Sequence, residues 1–281
     1  MPEPGAAITS APRQDIGRRE DPRGSRDDPR WQARQNRLLA ALPVADFNRL
    51  RRTLEPVALP LGRILCEAGA PAGYAYFPVT GIVSLMQELA SGATLEVALA
   101  GNDGMIGIAI VTGSASTTTR AIVRAAGISY RLRADVLKTE FEQCLPLRRI
   151  VLRYTQSRIL QVAQSAMCGR YHTVEQQVCR ILLSTIDRLA SDDLALTQEL
   201  IADLVGVRRE SVTTVAVALQ AAGIIRYHRG RIAVLDRPAL ARRACGCNAV
   251  LEREALRRFR PSARRAASAS HSGALVRTAV G

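Results

Sequence analysis

Apolar residues along this chain recur with different periods, and each change of period marks a change of structure. Leu38, Leu39, Leu42, Phe47, Leu50 and Leu54 stand at three- and four-residue steps, which predicts a helix over 31–55. From 56 to about 133 the apolar stretches shorten and glycines interrupt them. Val83, Leu85, Gln87 and Leu89 share one face of a predicted strand, and Leu95, Val97 and Leu99 alternate with Thr94, Glu96 and Ala98. Ser91-Gly92 falls between these runs, where a hairpin turn is wanted. Many short strands at turn spacing indicate an antiparallel barrel or jelly roll.

Helical periodicity returns over 134–168. Leu152, Thr155, Ile159, Val162 and Ala166 keep a 3-4-3-4 spacing, the seam of a helix that pairs with another helix. The partner can be a second copy of the chain, or the helix can pack on its own barrel. After Gly169-Arg170-Tyr171-His172, Thr173 and Gln176 form a capping-box pattern for a further helix with Val174, Val178, Ile181, Leu182 and Ile186 on its apolar face. Ser191-Asp192-Asp193 ends it.

Residues 196–235 carry the clearest functional pattern. Thr197 suits an N-cap, Ile201, Leu204 and Val205 form an apolar stripe, and Gly206 permits a sharp turn. A second helix runs from about Arg208 to Ala222 with Val212, Val215, Ala216 and Leu219 inward, and Gly223 stops it. Two strands then flank His228-Arg229-Gly230. Helix, glycine turn, helix and hairpin make a winged helix-turn-helix, whose second helix fits the DNA major groove. Arg208, Arg209, Glu210, Thr213 and Thr214 lie opposite the buried stripe and are the candidate base-reading residues. Arginine bonds guanine O6 and N7 together, and glutamate accepts from cytosine N4. Arg229 and Arg231 on the wing are candidate phosphate contacts.

With these residues in place, the chain resembles Crp/Fnr-type bacterial transcription regulators over roughly 38–256. The most specific stretch is LTQELIADLVGVRRESVTTVAVALQAAGIIRYHRGRIAVLDR. The resemblance implies an α+β fold: a cyclic-nucleotide-binding-like β jelly-roll sensor domain, a long dimerisation helix and a C-terminal winged helix-turn-helix domain. The corresponding divisions are a disordered arm at 1–30, the barrel domain at 31–139, the dimerisation helix at 140–168, the DNA-binding domain at 169–256 and a disordered basic tail at 257–281. It also implies a homodimer acting on a palindromic promoter site in double-stranded DNA, with RNA polymerase as a further candidate partner. The family's R-E-x-x-x-R pattern falls on Arg209, Glu210 and Thr214, so its last arginine is replaced and the half-site sequence is altered. The alternative is a ligand- or redox-sensing module with a weakened DNA-binding domain.

The sensor signatures depart further from that pattern. Relatives that bind cyclic nucleotides use Gly-Glu and then Arg-Ser/Thr-Ala. Here Met105 stands at the carboxylate position, and Thr119 takes the arginine position while Arg120 is one residue off. A one-residue shift in a strand turns a side chain to the other face, so cyclic AMP binding is not expected and no cofactor is assigned. No cysteine precedes Cys66, which removes the N-terminal iron–sulfur motif of oxygen-sensing relatives. Similar regulators carry Ala-Cys-Glu-Cys-Tyr after the wing, where this chain reads Ala244-Cys245-Gly246-Cys247-Asn248. A lone C-x-C is a weak metal signal, since closed zinc sites want four ligands. The three histidines, 172, 228 and 271, are too scattered to add to it. No metal site is therefore expected, and Cys245 and Cys247 read as structural or inert thiols, with redox or metal sensing as the alternative.

Composition changes this picture little. The formal net charge of +14 points to a polyanion partner. Residues 237–281 hold 10 Arg against 2 Glu, and within 207–235 the count is 5 Arg against 1 Glu. The absence of a histidine over 56–133 disfavours a cupin-type enzyme, and no nucleophile triad or Walker loop appears, so no catalysis is expected. No apolar run reaches the roughly 18 residues of a membrane span, and no signal-peptide pattern opens the chain, so a cytoplasmic protein with no membrane partner is expected.

Overall fold

A computed structural model of the chain describes residues 29–114, 116–189 and 193–250, with Arg253. The expected arm as far as residue 28, the basic tail at 257–281, and the Ser191-Asp192 stop signal lie outside the described residues.

The single helix expected over 31–55 is broken into a 3-10 turn at Pro29–Gln35, α1 (Arg37–Ala40), α2 (Val44–Leu50) and a second 3-10 turn at Arg51–Thr53. Two residues cause the breaks. Asn36 is fully buried; its Oδ1 accepts from the Leu38 N–H at 3.0 Å, while its Nδ2 donates to the carbonyls of Pro78 and Gly104. Such an N-cap restarts the helix and fastens it to the barrel. Pro43 has no N–H and pushes its predecessor out of the helical region. The apolar positions nevertheless all point inward: Leu38, Leu39, Leu42, Phe47, Leu50 and Leu54 are buried.

The barrel has seven strands: β1 (Glu55–Leu59), β2 (Ile64–Cys66), β3 (Tyr74–Pro78), β4 (Ile82–Glu88), β5 (Thr94–Ala100), β6 (Arg120–Ala125) and β7 (Gly127–Arg133). They form two antiparallel sheets, β1-β7-β3 and β2-β6-β4-β5. Leu59, Tyr76, Val83, Ile106, Ala121 and Val123 fill part of the space between them. The β4–β5 hairpin turns at Ser91-Gly92 as expected, with Gly92 at φ 81°. Its alternation differs from the expectation. In β5, Leu95 is exposed while Glu96 and Ala98 are buried. The register slips between Leu85 and Met86 on the paired strand, and the outer face of this sheet is covered by the C-terminal domain, so a polar residue there is buried too.

α3 (Ala134–Gln143) and α4 (Leu145–Tyr171) follow, separated at Cys144. The long helix begins after residue 140 and continues past 168. Its barrel-facing side is a different set of residues from the expected seam. Leu147, Val151, Tyr154 and Arg158 are buried on the barrel side, whereas Leu152, Ile159, Val162 and Met167 are exposed. Tyr154 donates its hydroxyl to the Met105 carbonyl at 2.8 Å, and Arg158 donates to the Leu99 carbonyl at 2.7 Å. The helix is thereby fixed to the barrel interior.

The C-terminal unit consists of α5 (Val174–Leu189), β8 (Asp193–Leu194), α6 (Gln198–Val205), α7 (Arg209–Ala221), β9 (Ile225–His228), β10 (Arg231–Val234) and α8 (Arg237–Arg243). Thr173 and Gln176 close the expected capping box. The strand β8, which extends the wing to β8-β10-β9, and the helix α8 were not anticipated. Met86 of the barrel joins the apolar core of this unit. Beside it, the fully buried Arg124 pairs with Glu96 at 2.9 Å and donates to the Thr185 hydroxyl at 2.6 Å. Burial pulls the Arg124 guanidinium below its ordinary value, and the Glu96 charge opposes that pull. Among the described residues, no helix is long and apolar enough to cross a membrane.

Candidate nucleic-acid interface

The helix-turn-helix is assembled by the devices read from the sequence. The Thr197 hydroxyl accepts from the Leu200 N–H at 3.1 Å, and Gly206 ends α6 at φ 75°, a conformation that costs any residue with a Cβ. Val212, Ala216 and Leu219 bury one face of α7 against α5 and α6. Arg208, Arg209, Glu210 and Thr214 are then left exposed around the helix start. Arg208, Arg209 and Glu210 form no ion pair among the described residues, so their charges are available to an external partner.

Thr213 occupies a different position from its neighbours. It is half-buried, and its hydroxyl donates to Gln198 Oε1 at 2.7 Å, tying α7 to α6. Thr214 turns its hydroxyl back to the Glu210 carbonyl at 3.0 Å. Gln220, which the sequence did not single out, accepts from the Tyr227 N–H at 2.9 Å and ties α7 to the wing. Neither glutamine sits in a recognisable local pattern, because each bond joins two elements.

Arg229 and Gly230 connect β9 to β10, with His228 paired to Arg231. Both connecting residues have positive φ, 45° and 76°, the signature of a type I′ hairpin turn. Arg229 is the one described residue other than glycine in this region of backbone space. Arg229 and Arg231 are exposed, and Arg226 projects beside them on β9.

In the barrel, a cavity of about 80 Å³ is lined by Cys66, Tyr74, Met105, Ile106, Thr119 and Ala121, among others. Met105 and Thr119 both border it, as their alignment to the nucleotide-binding positions implies. Arg120 lies on the other face of the sheet, bonded to Glu67 at 2.7 Å with Glu88 at 3.6 Å.

His172 is not isolated in space as it is along the chain. Cys168, in the last turn of α4, His172, which caps it, and Cys245 and Cys247, just after α8, bring their donor atoms within 4.8 Å of one another. This corrects the reading of His172 as isolated, since 75 positions separate it from Cys247 in the chain. The Cys168 thiol is shifted down by the hydrogen bond from Cys245, aided by the charge of Arg180, while the Cys245 thiol that donates it is shifted up. The C-x-x-x-H spacing at a helix end, beside a distant C-x-C, was the available signal.

Comparison with known proteins bears on up to about three quarters of the chain. A family model described as a Crp-like helix-turn-helix domain matches residues 176–243. A CRP-like cAMP-activated global transcriptional regulator of Mycobacterium tuberculosis is 26% identical over 208 residues, covering 69% of this chain and 90% of that protein. The global nitrogen regulator of Synechococcus elongatus is 25% identical over 218 residues, covering 74% and 97%. Among solved structures, FixK2 from Bradyrhizobium japonicum superposes with a TM-score of 0.60 at 19% identity, covering 68% of this chain and 98% of that one. The c-di-GMP responsive regulator CLP of Xanthomonas campestris superposes at 0.57, also with 19% identity, covering 69% and 100%.

Proposed function

This chain belongs to the Crp/Fnr family of DNA-binding transcription regulators, and from that premise we propose that it acts as a cytoplasmic homodimer on a palindromic promoter site without cyclic AMP as its effector. The observation that carries the reading is the exposed, unpaired Arg208-Arg209-Glu210 triplet at the N-terminus of α7, beside a wing bearing Arg229 and Arg231. Arg208, Arg209, Glu210 and Thr214 read base edges or adjacent phosphates. Arg229 and Arg231 hold the backbone. Thr213 contributes by holding α7 in place against α6.

The exposed stripe Leu152, Ile159, Val162 and Met167 supports pairing of α4 with a second copy, which would set two recognition helices about 34 Å apart. Residues 31–139 act as sensor barrel, 140–168 as the dimerising segment and 169–256 as the DNA-binding domain. RNA polymerase is the further partner expected of a promoter-bound regulator. Nothing in the sequence assigns the chain a catalytic role.

Against cyclic AMP stand the loss of the carboxylate at Met105, the turn of Arg120 to the outer face, and a cavity of about 80 Å³. Pockets for ligands of that kind are typically about 300–1,000 Å³. Genome-wide binding-site mapping, followed by footprinting on the recovered sites, tests the proposal. A protected palindrome is expected, with the same affinity whether or not cyclic AMP is added. Equal binding to promoter and random DNA would overturn the reading, and a cyclic AMP-dependent footprint would overturn its effector clause.

A further inference from the structure

We propose that Cys168, His172, Cys245 and Cys247 form a closed tetrahedral zinc site that clasps the two ends of the DNA-binding domain together. The four donor atoms lie within 4.8 Å of one another. Tetrahedral zinc, with Zn–S of about 2.3 Å and Zn–N of about 2.0–2.1 Å, requires S···S edges of about 3.8 Å and S···N edges of about 3.6 Å. Cys168 Sγ and Cys245 Sγ are 3.5 Å apart, and Cys247 Sγ and His172 Nδ1 are 3.5 Å apart. Two opposite edges of the tetrahedron are thus present within a few tenths of an ångström.

The surroundings suit an ion better than a patch of core. The three cysteines form a buried cluster of their own, apart from the main apolar cores. An aliphatic core would place Ala or Val there, with no need for a ring nitrogen and an amide facing sulfur. Yet His172 Nδ1 faces Cys247, and Gln164 Nε2 donates to the same sulfur at 2.9 Å. An N–H aimed at a ligating sulfur is the kind of outer hydrogen bond that holds a metal ligand in place. A sulfur-rich tetrahedral donor set selects zinc among the common divalent ions. An iron–sulfur cluster fits poorly, because its inorganic core holds the ligating sulfurs further apart than a single ion does. A Cys168–Cys245 disulfide would explain two of the four residues and leave Cys247 and His172 without a role.

The consequence follows from where the ligands sit. Cys168 and His172 precede the winged unit, and Cys245 and Cys247 follow it. One ion therefore closes a loop that contains all of α5, α6, α7, the wing and α8, with one end anchored on α4. Closing a long loop removes much of the freedom of its ends, and the binding energy of a structural zinc becomes folding energy of the domain it closes. This inference is independent of the DNA target and of the barrel's effector.

The test uses the full chain, purified anaerobically under reducing conditions from zinc-supplemented cultures. Elemental analysis should find one zinc per chain. Exchange with Co²⁺ should give the visible bands of tetrahedral cobalt together with a near-ultraviolet thiolate charge-transfer band. Cys247→Ser and His172→Ala should lose the metal, His172→Cys should keep it, and Cys66→Ser should leave it unchanged. Gln164→Ala should weaken zinc binding by about 10–100-fold while leaving the stoichiometry intact. If Cys247→Ser fails to fold, the cobalt spectrum of the unaltered chain decides. A folded chain with neither zinc nor a cobalt spectrum, or one with a Cys168–Cys245 disulfide in place of metal, overturns the proposal.

Discussion

Arginine does opposite work at two places in this molecule. Where the barrel meets α4 and the DNA-binding domain, three arginines are buried or half-buried and engaged. Arg124 holds Glu96 and Thr185, Arg158 holds the Leu99 carbonyl, and Arg188 holds Asp103 at 3.2 Å. At the start of α7 and on the wing, Arg208, Arg209 and Arg229 are exposed and form no ion pair among the described residues. The same side chain is a structural clamp where its fork is engaged from within, and is left available to a partner where it is not. A net charge of +14 cannot tell the two uses apart, whereas the placement of individual arginines can.

The largest effect should come from breaking a clamp. Glu96→Ala leaves Arg124 buried without its counter-ion and should destabilise the fold by about 3–5 kcal/mol. Replacing both partners with apolar residues should recover most of that loss, because the buried pair gains little over good packing. Urea melts of the single and double variants check this. A single variant as stable as the parent would remove the distinction between the two classes.

Next in size is Arg209→Ala on the recognition surface. It should cost about 1–3 kcal/mol of discrimination at one base position, with an unchanged melting temperature. Selection from a randomised half-site reads the specificity, and a uniform fall across all sequences would move Arg209 to the phosphate class. Thr213→Val should behave as a clamp residue despite its place on α7. Loss of its bond to Gln198 should lower stability by about 1 kcal/mol without relaxing any single base position. The smallest effect on the fold belongs to Arg229→Gly. Relief of the left-handed conformation, less the added freedom of glycine in the unfolded chain, should raise stability by about 1 kcal/mol or less. The same change should weaken all DNA sequences about equally and reduce the salt slope by about 1.

What the sequence disclosed follows the range of the interactions concerned. Thr197, Gly206, the Thr173–Gln176 box and the Val212-Ala216-Leu219 stripe act within a few residues of themselves, and all were legible. The apolar set from Leu38 to Leu54 was correctly inward, but Asn36 breaks its helix through bonds to Pro78 and Gly104 that no local pattern announces. Glu96 was read on the strand face opposite Leu95, Val97 and Leu99, and it is buried because a separate domain covers its strand. The exposed start of α7 was legible for Arg208, Arg209, Glu210 and Thr214. The bond that half-buries Thr213 was not, since its partner lies on the preceding helix. His172 was dismissed for the same reason, its neighbours being brought together only by the folded winged unit.

That unit leaves and rejoins the rest of the chain at one point. The sulfurs of Cys168 and Cys245 lie 3.5 Å apart although 77 positions separate them. Chain entry and exit are side by side, so the reading head plugs into its base like a module into a socket. A homologous head could be transplanted there provided it kept the surface that meets the barrel at Met86 and Arg124. Recombination that respects this socket would change the DNA sequence recognised while preserving the signal received.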